Sequence, residues 1–316
     1  MEFNKRIVSL VPGDEIEGFY LLKSASVRMT TSGKPYLNAT LSDASGVVEA
    51  KMWDFSGTLS PESEGSVIKI RGEVGEFKGT NQVTIRKMRP ATSDDEYDIS
   101  ALVPTAPIDA MKELDFVQNL VSTIEDSDYR RVCEEMLDRH VISFSRIPAG
   151  KSMHHSFLSG LLMHTGNMLR IADFLSSEIY PDAVDRSLLI TGTLLHDFAK
   201  DKEYAVSSLG MITGMTTEGN LLGHLVMCAE EVGKVGEDLG IPEEKIMLLK
   251  HMVLSHHGQP EFGAAVIPCI AEAELLSYID LIDSRMEIYA ETFERVPVGS
   301  FSDKIFALDK RIYNHE

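Results

Sequence analysis

At 316 residues, 43% hydrophobic and with a formal net charge of −19, the chain is long enough for two domains with sizeable cores and, taken whole, too acidic for a general polyanion binder. Its three cysteines, Cys133, Cys228 and Cys269, lie far apart and outside any Cys-x-x-Cys spacing, which excludes a disulfide framework or zinc ribbon and fits free thiols in a reducing compartment. The first apolar run, Ile7 to Val11, is too short for a signal-peptide core and no later run approaches the ~18 residues of a membrane span, so a soluble cytoplasmic protein with no membrane partner is expected.

The charge is unevenly spread. Residues 1–90 hold 12 Lys and Arg against 11 Asp and Glu, leaving 18 against 38 for the rest, so attraction to a polyanion is open to the first part, or to places where metal cations offset the acids. In this first part short alternating or β-branched runs recur over Phe19–Met29, Tyr36–Leu41, Val47–Trp53, Val67–Val74 and Gln82–Ile85. Ser32-Gly33-Lys34 and Asp43-Ala44-Ser45-Gly46 supply hairpin connections, and Gly72 and Gly75 can bend a strand at a barrel corner. The rhythm predicts a small five-stranded Greek-key barrel of the OB type over residues 1–90. Such barrels bind single strands by combining aromatic platforms with cations, and Tyr36, Trp53, Phe55 and Phe77 lie near Lys34, Lys51, Lys78 and Arg86. Taken singly, Trp53 and most of the Phe read as barrel core; Tyr36, beside Lys34-Pro35, reads as the stacking surface, with Lys34 as its cation.

Residues 91–109 carry Asp94-Asp95-Glu96, Pro104 and Pro107 with little apolar periodicity, and read as a linker. Beyond it, residues 110–316 turn helical. Apolar residues recur with helical spacing over Ile108–Asp126, Tyr129–Phe144, Leu158–Ser176, Ala183–Leu195, Gly219–Leu239, Glu243–Leu254 and Ala271–Glu294. The expected architecture is therefore a β-barrel followed by an all-α helical bundle.

Eight of the ten histidines fall between positions 154 and 257. His164 lies among Leu161, Met168 and Ile171 at helical spacing, so it faces an apolar interior. His196-Asp197 ends a helix, His224 follows Gly223 early in another, His256-His257 sits at a helix end, and Asp280 lies within the last helix. Gaps of 32, 27, 32 and 24 residues let separate helices each turn one or two ligands inward, as in di-metal bundles. Mixed imidazole and carboxylate donors without cysteine suit Mn, Co, Fe or Zn in an open site. We assign His164, His196, Asp197 and Asp280 to one divalent ion and Asp197, His224 and His256 to a second, with Asp197 bridging and His257 able to replace or join His256. Two such ions can activate water and stabilise a leaving oxygen, which is the chemistry of phosphodiester hydrolysis. Lys200, three residues after Asp197, projects from nearly the same side and suits a phosphate oxygen.

The order His, His-Asp, His, His-His, Asp resembles the HD superfamily of metal-dependent phosphohydrolases. More specifically, residues 154–164 (HHSFLSGLLMH), 194–200 (LLHDFAK), 217–224 (TEGNLLGH), 254–258 (LSHHG) and 278–286 (YIDLIDSRM) look like the YhaM-type 3′-to-5′ exoribonucleases, as do Gly33-Lys34-Pro35-Tyr36, Glu49 to Asp54 and Phe306 to Asp309. The resemblance implies an OB fold before an HD domain, and Mn- or Co-stimulated removal of nucleotides from the 3′ end of single-stranded RNA, with single-stranded DNA as a further substrate. Nucleoside 5′-monophosphates would be released. His154 and His155, also in the family string, are placed at substrate phosphate or in a structural role, and His257 near substrate or metal. Asp283 is expected to accept a hydrogen bond from a ligand or to neighbour the substrate, Arg285 to make a helix-surface ion pair in preference to holding a phosphate, and His140, His251 and His315 to be structural or exposed. The one departure is Ala199, where the family usually has Gly.

Two other readings stay open. One is an HD phosphohydrolase acting on free nucleotides or cyclic dinucleotides, although His256-His257 is followed by Gly258-Gln259-Pro260 and not by Gly-Tyr-Pro. The other is a non-catalytic nucleic-acid-binding regulator whose metals only hold helices together. A homo-oligomer is compatible with all three.

Overall fold

A computed structural model describes residues 2–57, 64–150, 156–207 and 209–315. The chain divides into two compact units, Met1–Thr105 with Val206–Thr213, and Ala106–Ala205 with Gly214–Glu316.

In the first unit β1 (Glu2–Phe3) is followed by β2 (Glu15–Met29), β3 (Pro35–Asp43), β4 (Gly46–Trp53), β5 (Val67–Phe77) and β6 (Thr80–Pro90). Strand order is β1-β2-β3-β4-β6-β5, and β2 also pairs with β5, so five strands close into a barrel with no free edge between them. The β4–β6 pairing is parallel and short, Glu49–Lys51 against Gln82–Thr84. Strand alternation sends Ile16, Leu22, Leu37, Leu41, Ala50, Ile70, Val74 and Val83 into the core. The β3–β4 turn is held by Asp43, whose Oδ1 accepts the N–H groups of Ser45 at 2.7 Å and Gly46 at 3.1 Å. Trp53 corrects the core assignment made for it. It is 49% exposed, because it pairs in register with Tyr36 and both side chains point outward, where the rings stack 5.1 Å apart. Phe77 is likewise half exposed, whereas Phe19 and Phe55 are buried. A one-turn helix, α1 (Ile99–Leu102), follows the barrel.

The second unit is built from α2 (Ala110–Ser122), α3 (Ser127–Phe144), α4 (Gly160–Phe174, continued by a π-turn), α5 (Arg186–Leu195), α6 (Lys200–Glu203), α7 (Thr217–Leu239), α8 (Glu243–Ser255) and α9 (Ala271–Phe293). Asp109, Asp126, Asp185 and Thr216 cap α2, α3, α5 and α7 by accepting backbone N–H groups of the first turn. Helix α5 carries no charge after Arg186 and every residue from Ser187 to Leu195 is buried, against α3, α4, α8 and α9. Each of its leucines contributes about 1.5–3 kcal/mol by burial, which fixes where its C-terminus delivers His196-Asp197. A short ribbon, β7 (Tyr204–Val206) with β8 (Ile212–Met215), carries the Val206–Thr213 segment counted with the first unit, and a second, β9 (Ser300–Phe301) with β10 (Tyr313–Asn314), accompanies the helices. Among the described residues no helix is long and apolar enough to cross a membrane.

Helix α7 is broken at Gly223, whose φ of 74° an L-residue rarely adopts, and the break starts a new helical run at His224. Upstream, a Cβ at Gly219 would collide with the carbonyl oxygen of Glu203. We therefore expect Gly219→Ala to destabilise the protein by about 1–3 kcal/mol through forced separation of α6 and α7, read as a lower melting temperature; an unchanged melting temperature would show that the close approach is not required.

Candidate metal centre

Four imidazoles surround one buried carboxylate. Asp197 Oδ2 lies 3.1 Å from His196 Nε2 and 3.8 Å from His164 Nε2, while Oδ1 lies 3.3 Å from His224 Nε2 and 3.7 Å from His256 Nε2. Each oxygen thus faces its own pair of rings. Asp280 Oδ1 adds a donor 3.4 Å from His164 Nε2. His257 packs against His256 with ring centroids 4.2 Å apart, and His224, His256 and His257 offer atoms within 4.8 Å of one another, as do His164, His196 and Asp197.

The chain reaches this point from six helices. His164 projects from the interior face of α4, and His196 caps the C-terminus of α5. Lys200 opens α6, His224 follows the break in α7, His256 caps α8, and Asp280 lies on α9. Helix α8 stops because Gly258 turns to φ 75°, leaving His256 and His257 at its end.

All four rings are oriented through Nδ1. That atom meets the carbonyl oxygen of Thr193 in His196 and of Val253 in His256, each at 2.7 Å. It meets the Asp283 carboxylate at 2.7 Å in His164 and both Glu203 oxygens at 3.1 Å in His224. A carbonyl can only accept, so Nδ1 of His196 and His256 carries the proton and Nε2 presents its lone pair to the centre. Carboxylate–imidazole pairs of this kind orient metal ligands. Nε2 of His196, His224 and His256 and Oδ1 of Asp197 are buried with no hydrogen-bond partner. Orphaned lone pairs of nitrogen and oxygen converging at these distances fit divalent cations, and the donor set suits an open site.

Burial opposes charge on Asp197, yet His196 and Lys200 hold it well below the usual carboxylate range, so it stays ionised; burial opposes charge on His196 as well, but Asp197 raises its pKa, and a cation at Nε2 would take the place of that proton. Burial and neighbouring His257 push His256 well below the usual histidine range, keeping it in the neutral form that binds metals. Burial likewise lowers His257. The buried Lys200 ammonium lies 2.6 Å from Asp197 Oδ2; burial opposes its charge, but Asp197 keeps its pKa raised. Ala199 is fully buried at φ −72°, a conformation open to any residue, so the methyl group is accommodated without strain.

Of the residues singled out in the sequence, the structure brings together His164, His196, Asp197, Lys200, His224, His256, His257 and Asp280. Asp283 accepts from His164 and also takes 2.9 Å from Asn167 Nδ2. Tyr36 and Lys34 lie on the barrel, where Lys34 is exposed beside Asp54 at 3.2 Å. The cation over the aromatic rings is Lys51, 6.0, 5.8 and 5.0 Å from the Tyr36, Trp53 and Phe77 centroids. His154 and His155 lie outside the described residues. Arg285 is exposed and makes no ion pair among the described residues, against the surface pair expected of it. His251 accepts the Cys269 N–H at 2.9 Å, and His315 is exposed. Glu203 escaped notice; its only signal was its place one turn beyond Lys200, with its partner 21 residues away.

A helical domain that gathers His, His-Asp, His, His and Asp around one carboxylate defines an HD-domain protein, and the HD domain family matches residues 161–285. Similarity extends well beyond that domain. The chain is 35% identical over 302 residues to the 3′-5′ exoribonuclease YhaM of Bacillus velezensis, covering 95% of both chains. It is 34% identical over 305 residues to that of Bacillus subtilis, again 95% of both, and 36% identical over 307 residues to that of Halalkalibacterium halodurans, 95% of this chain and 93% of the other. The chain belongs to the YhaM family of 3′-5′ exoribonucleases.

Two measurements probe this arrangement. Glu203→Gln weakens the hold on His224 Nδ1, so calorimetric titration with Mn should show one binding step weakened about 10–100-fold; equal affinities would remove Glu203 from the centre. Behind the centre, His140 Nδ1 meets Asp201 at 2.8 Å and its Nε2 meets Glu231 at 3.1 Å; burial opposes its charge, but the two carboxylates raise its pKa to about 9. A raised folded pKa stabilises fully below the unfolded value of about 6.5 and less as pH rises through about 9. The melting-temperature gap between wild type and His140→Gln should therefore shrink from pH 6 to pH 9.5, and a constant gap would count against a charged imidazole.

Proposed function

We propose that the protein hydrolyses single-stranded RNA from its 3′ end and releases nucleoside 5′-monophosphates, with single-stranded DNA as a further substrate. The observation that carries this reading is the division of Asp197, one oxygen toward His164 and His196 and the other toward His224 and His256. His164, His196, Asp197 and Asp280 would hold one divalent ion, and Asp197, His224 and His256 a second, with Mn foremost and Co, Fe or Zn able to use the same donors. Bound there, the ions supply Lewis-acid activation of water and neutralise charge at phosphorus.

The chain's own groups do the rest. The protonated Lys200, held at Asp197, serves a non-bridging phosphate oxygen as charge builds there. The neutral His257 ring, beside His256 and less buried than it, is assigned to the substrate phosphate, as is His155 from the family string. Fixed Nδ1 partners keep the donor atoms aimed, so little reorganisation is needed when substrate arrives. Residues 1–90 act as the strand-binding domain, joined through 91–109 to the hydrolytic domain of 110–316. Tyr36, Trp53 and Phe77 around Lys51, with Lys34 nearby, form a stacking platform suited to bases of an unpaired strand. Buried Cys133 and Cys228 and exposed Cys269, all free, fit a cytoplasmic setting.

Asp197→Ala separates hydrolysis from binding. It should lower Mn-dependent turnover of a labelled single strand by at least about 1000-fold, while affinity for the strand is retained. A 3′-blocked RNA should resist digestion. Equal digestion of blocked and unblocked RNA, or turnover surviving in Asp197→Ala, would overturn the reading.

A further inference from the structure

On the outer face of β5 and β6 basic residues stand directly opposite one another. The antiparallel register pairs Lys69 with Arg89 and Arg71 with Lys87. Alternation along each strand places these four on one face and turns Ile70 and Met88 the other way. A register shift between Arg71 and Gly72 leaves Arg86 exposed beside them. Like charges directly opposite on a sheet oppose pairing, and five of the 12 basic residues of residues 1–90 are gathered here, so this grouping calls for a partner.

The neighbouring acids compensate only part of it. Asp95 takes both terminal nitrogens of Arg89 at 2.6 and 2.7 Å, Glu15 and Glu73 take Arg86 at 2.8 and 2.6 Å, and Glu17 lies 3.8 Å from Lys69. The side chains of Arg71 and Lys87, opposite each other and both exposed, make no ion pair or hydrogen bond among the described residues, and Arg71 acts on Glu15 only through space. They rim a concavity of about 530 Å³ that reaches past them to the core side of the barrel, where Ile70 is buried and Met52 and Met88 are partly exposed against the core. It opens past the point where the β4–β6 pairing stops, at Lys51 against Thr84. Met52, in its lining, stands between Lys51 and Trp53 of the aromatic platform, so the two surfaces share strand β4.

We propose that this concavity is a second strand-binding surface of the barrel, in which Arg71 and Lys87 hold phosphates of single-stranded RNA and the methionines receive a base or ribose. Guanidinium and ammonium groups over polarisable thioethers match a phosphodiester carrying a nucleobase. A strand leaving the platform need cross only β4 to reach it. The inference rests on the barrel carrying single-stranded RNA, and adds where the strand continues.

The test uses the full chain and fluorescence anisotropy with 3′-blocked oligonucleotides of about 20 and about 4 nucleotides, the shorter near the lower limit of an OB-fold site. Arg71→Gln/Lys87→Gln should weaken binding of the longer RNA about tenfold and reduce its salt slope by about 1.4, two contacts at about 0.7 each. Binding of the shorter RNA and Mn-dependent hydrolysis of bis(p-nitrophenyl) phosphate should stay unchanged, and the melting temperature should hold or rise because like charges are removed. Unchanged affinity and slope for the longer RNA would overturn the proposal, and so would equal loss for both lengths, which would merge the residues with the platform. A changed sedimentation mass of the RNA-free variant would also overturn it, by assigning the face to contacts with the acidic surface of another copy. Failure of the wild type to bind the longer RNA at all would instead refute the RNA-binding reading of the barrel, and this inference with it.

Discussion

A carboxylate taken out of water is tolerated only with compensation close at hand, and Asp197 is almost wholly buried. The helical domain is arranged around meeting that demand. Imidazoles from four helices approach the two oxygens in separate pairs, and a buried ammonium closes on one of them. Removing the anion would leave the buried Lys200 charge without its counterion and take one oxygen donor from each pair of imidazoles, so the centre is a single electrostatic unit.

The scaffold supplies position through apolar packing and orientation through Nδ1. Helix α5 is enclosed by its neighbours along its whole buried length, which leaves its C-terminal His196-Asp197 little freedom of place. The carbonyl groups of Thr193 and Val253 then fix two rings using backbone that the helix ends leave unbonded. For His164 and His224 the same task falls to Asp283 and Glu203. Stability and reactivity are thus assigned to different atoms of one histidine.

Much of this was legible in the order of residues. Five alternating runs broken by turns announce a barrel, and seven helical periods announce the bundle, because both rest on local periodicity. The ligand set could be read because Leu-Leu-His-Asp, Leu-Ser-His-His-Gly and Gly-His each place polar groups where an apolar helix stops or breaks. Trp53 was misread because a tryptophan in a short alternating strand carries no mark of which face it takes; that depends on the barrel's closure and on its register with Tyr36. Glu203 stayed hidden because its partnership with His224 depends on the break at Gly223, a backbone feature that no helical periodicity reveals. Backbone acceptors such as Thr193 and Val253 leave no imprint on residue identity at all.

Glu203 and Lys200 occupy the two ends of the single turn α6, one braced against an imidazole and the other against the central aspartate. A shift of this one turn therefore acts on two contacts at once, on the brace behind His224 through Glu203 and on the central carboxylate through Lys200.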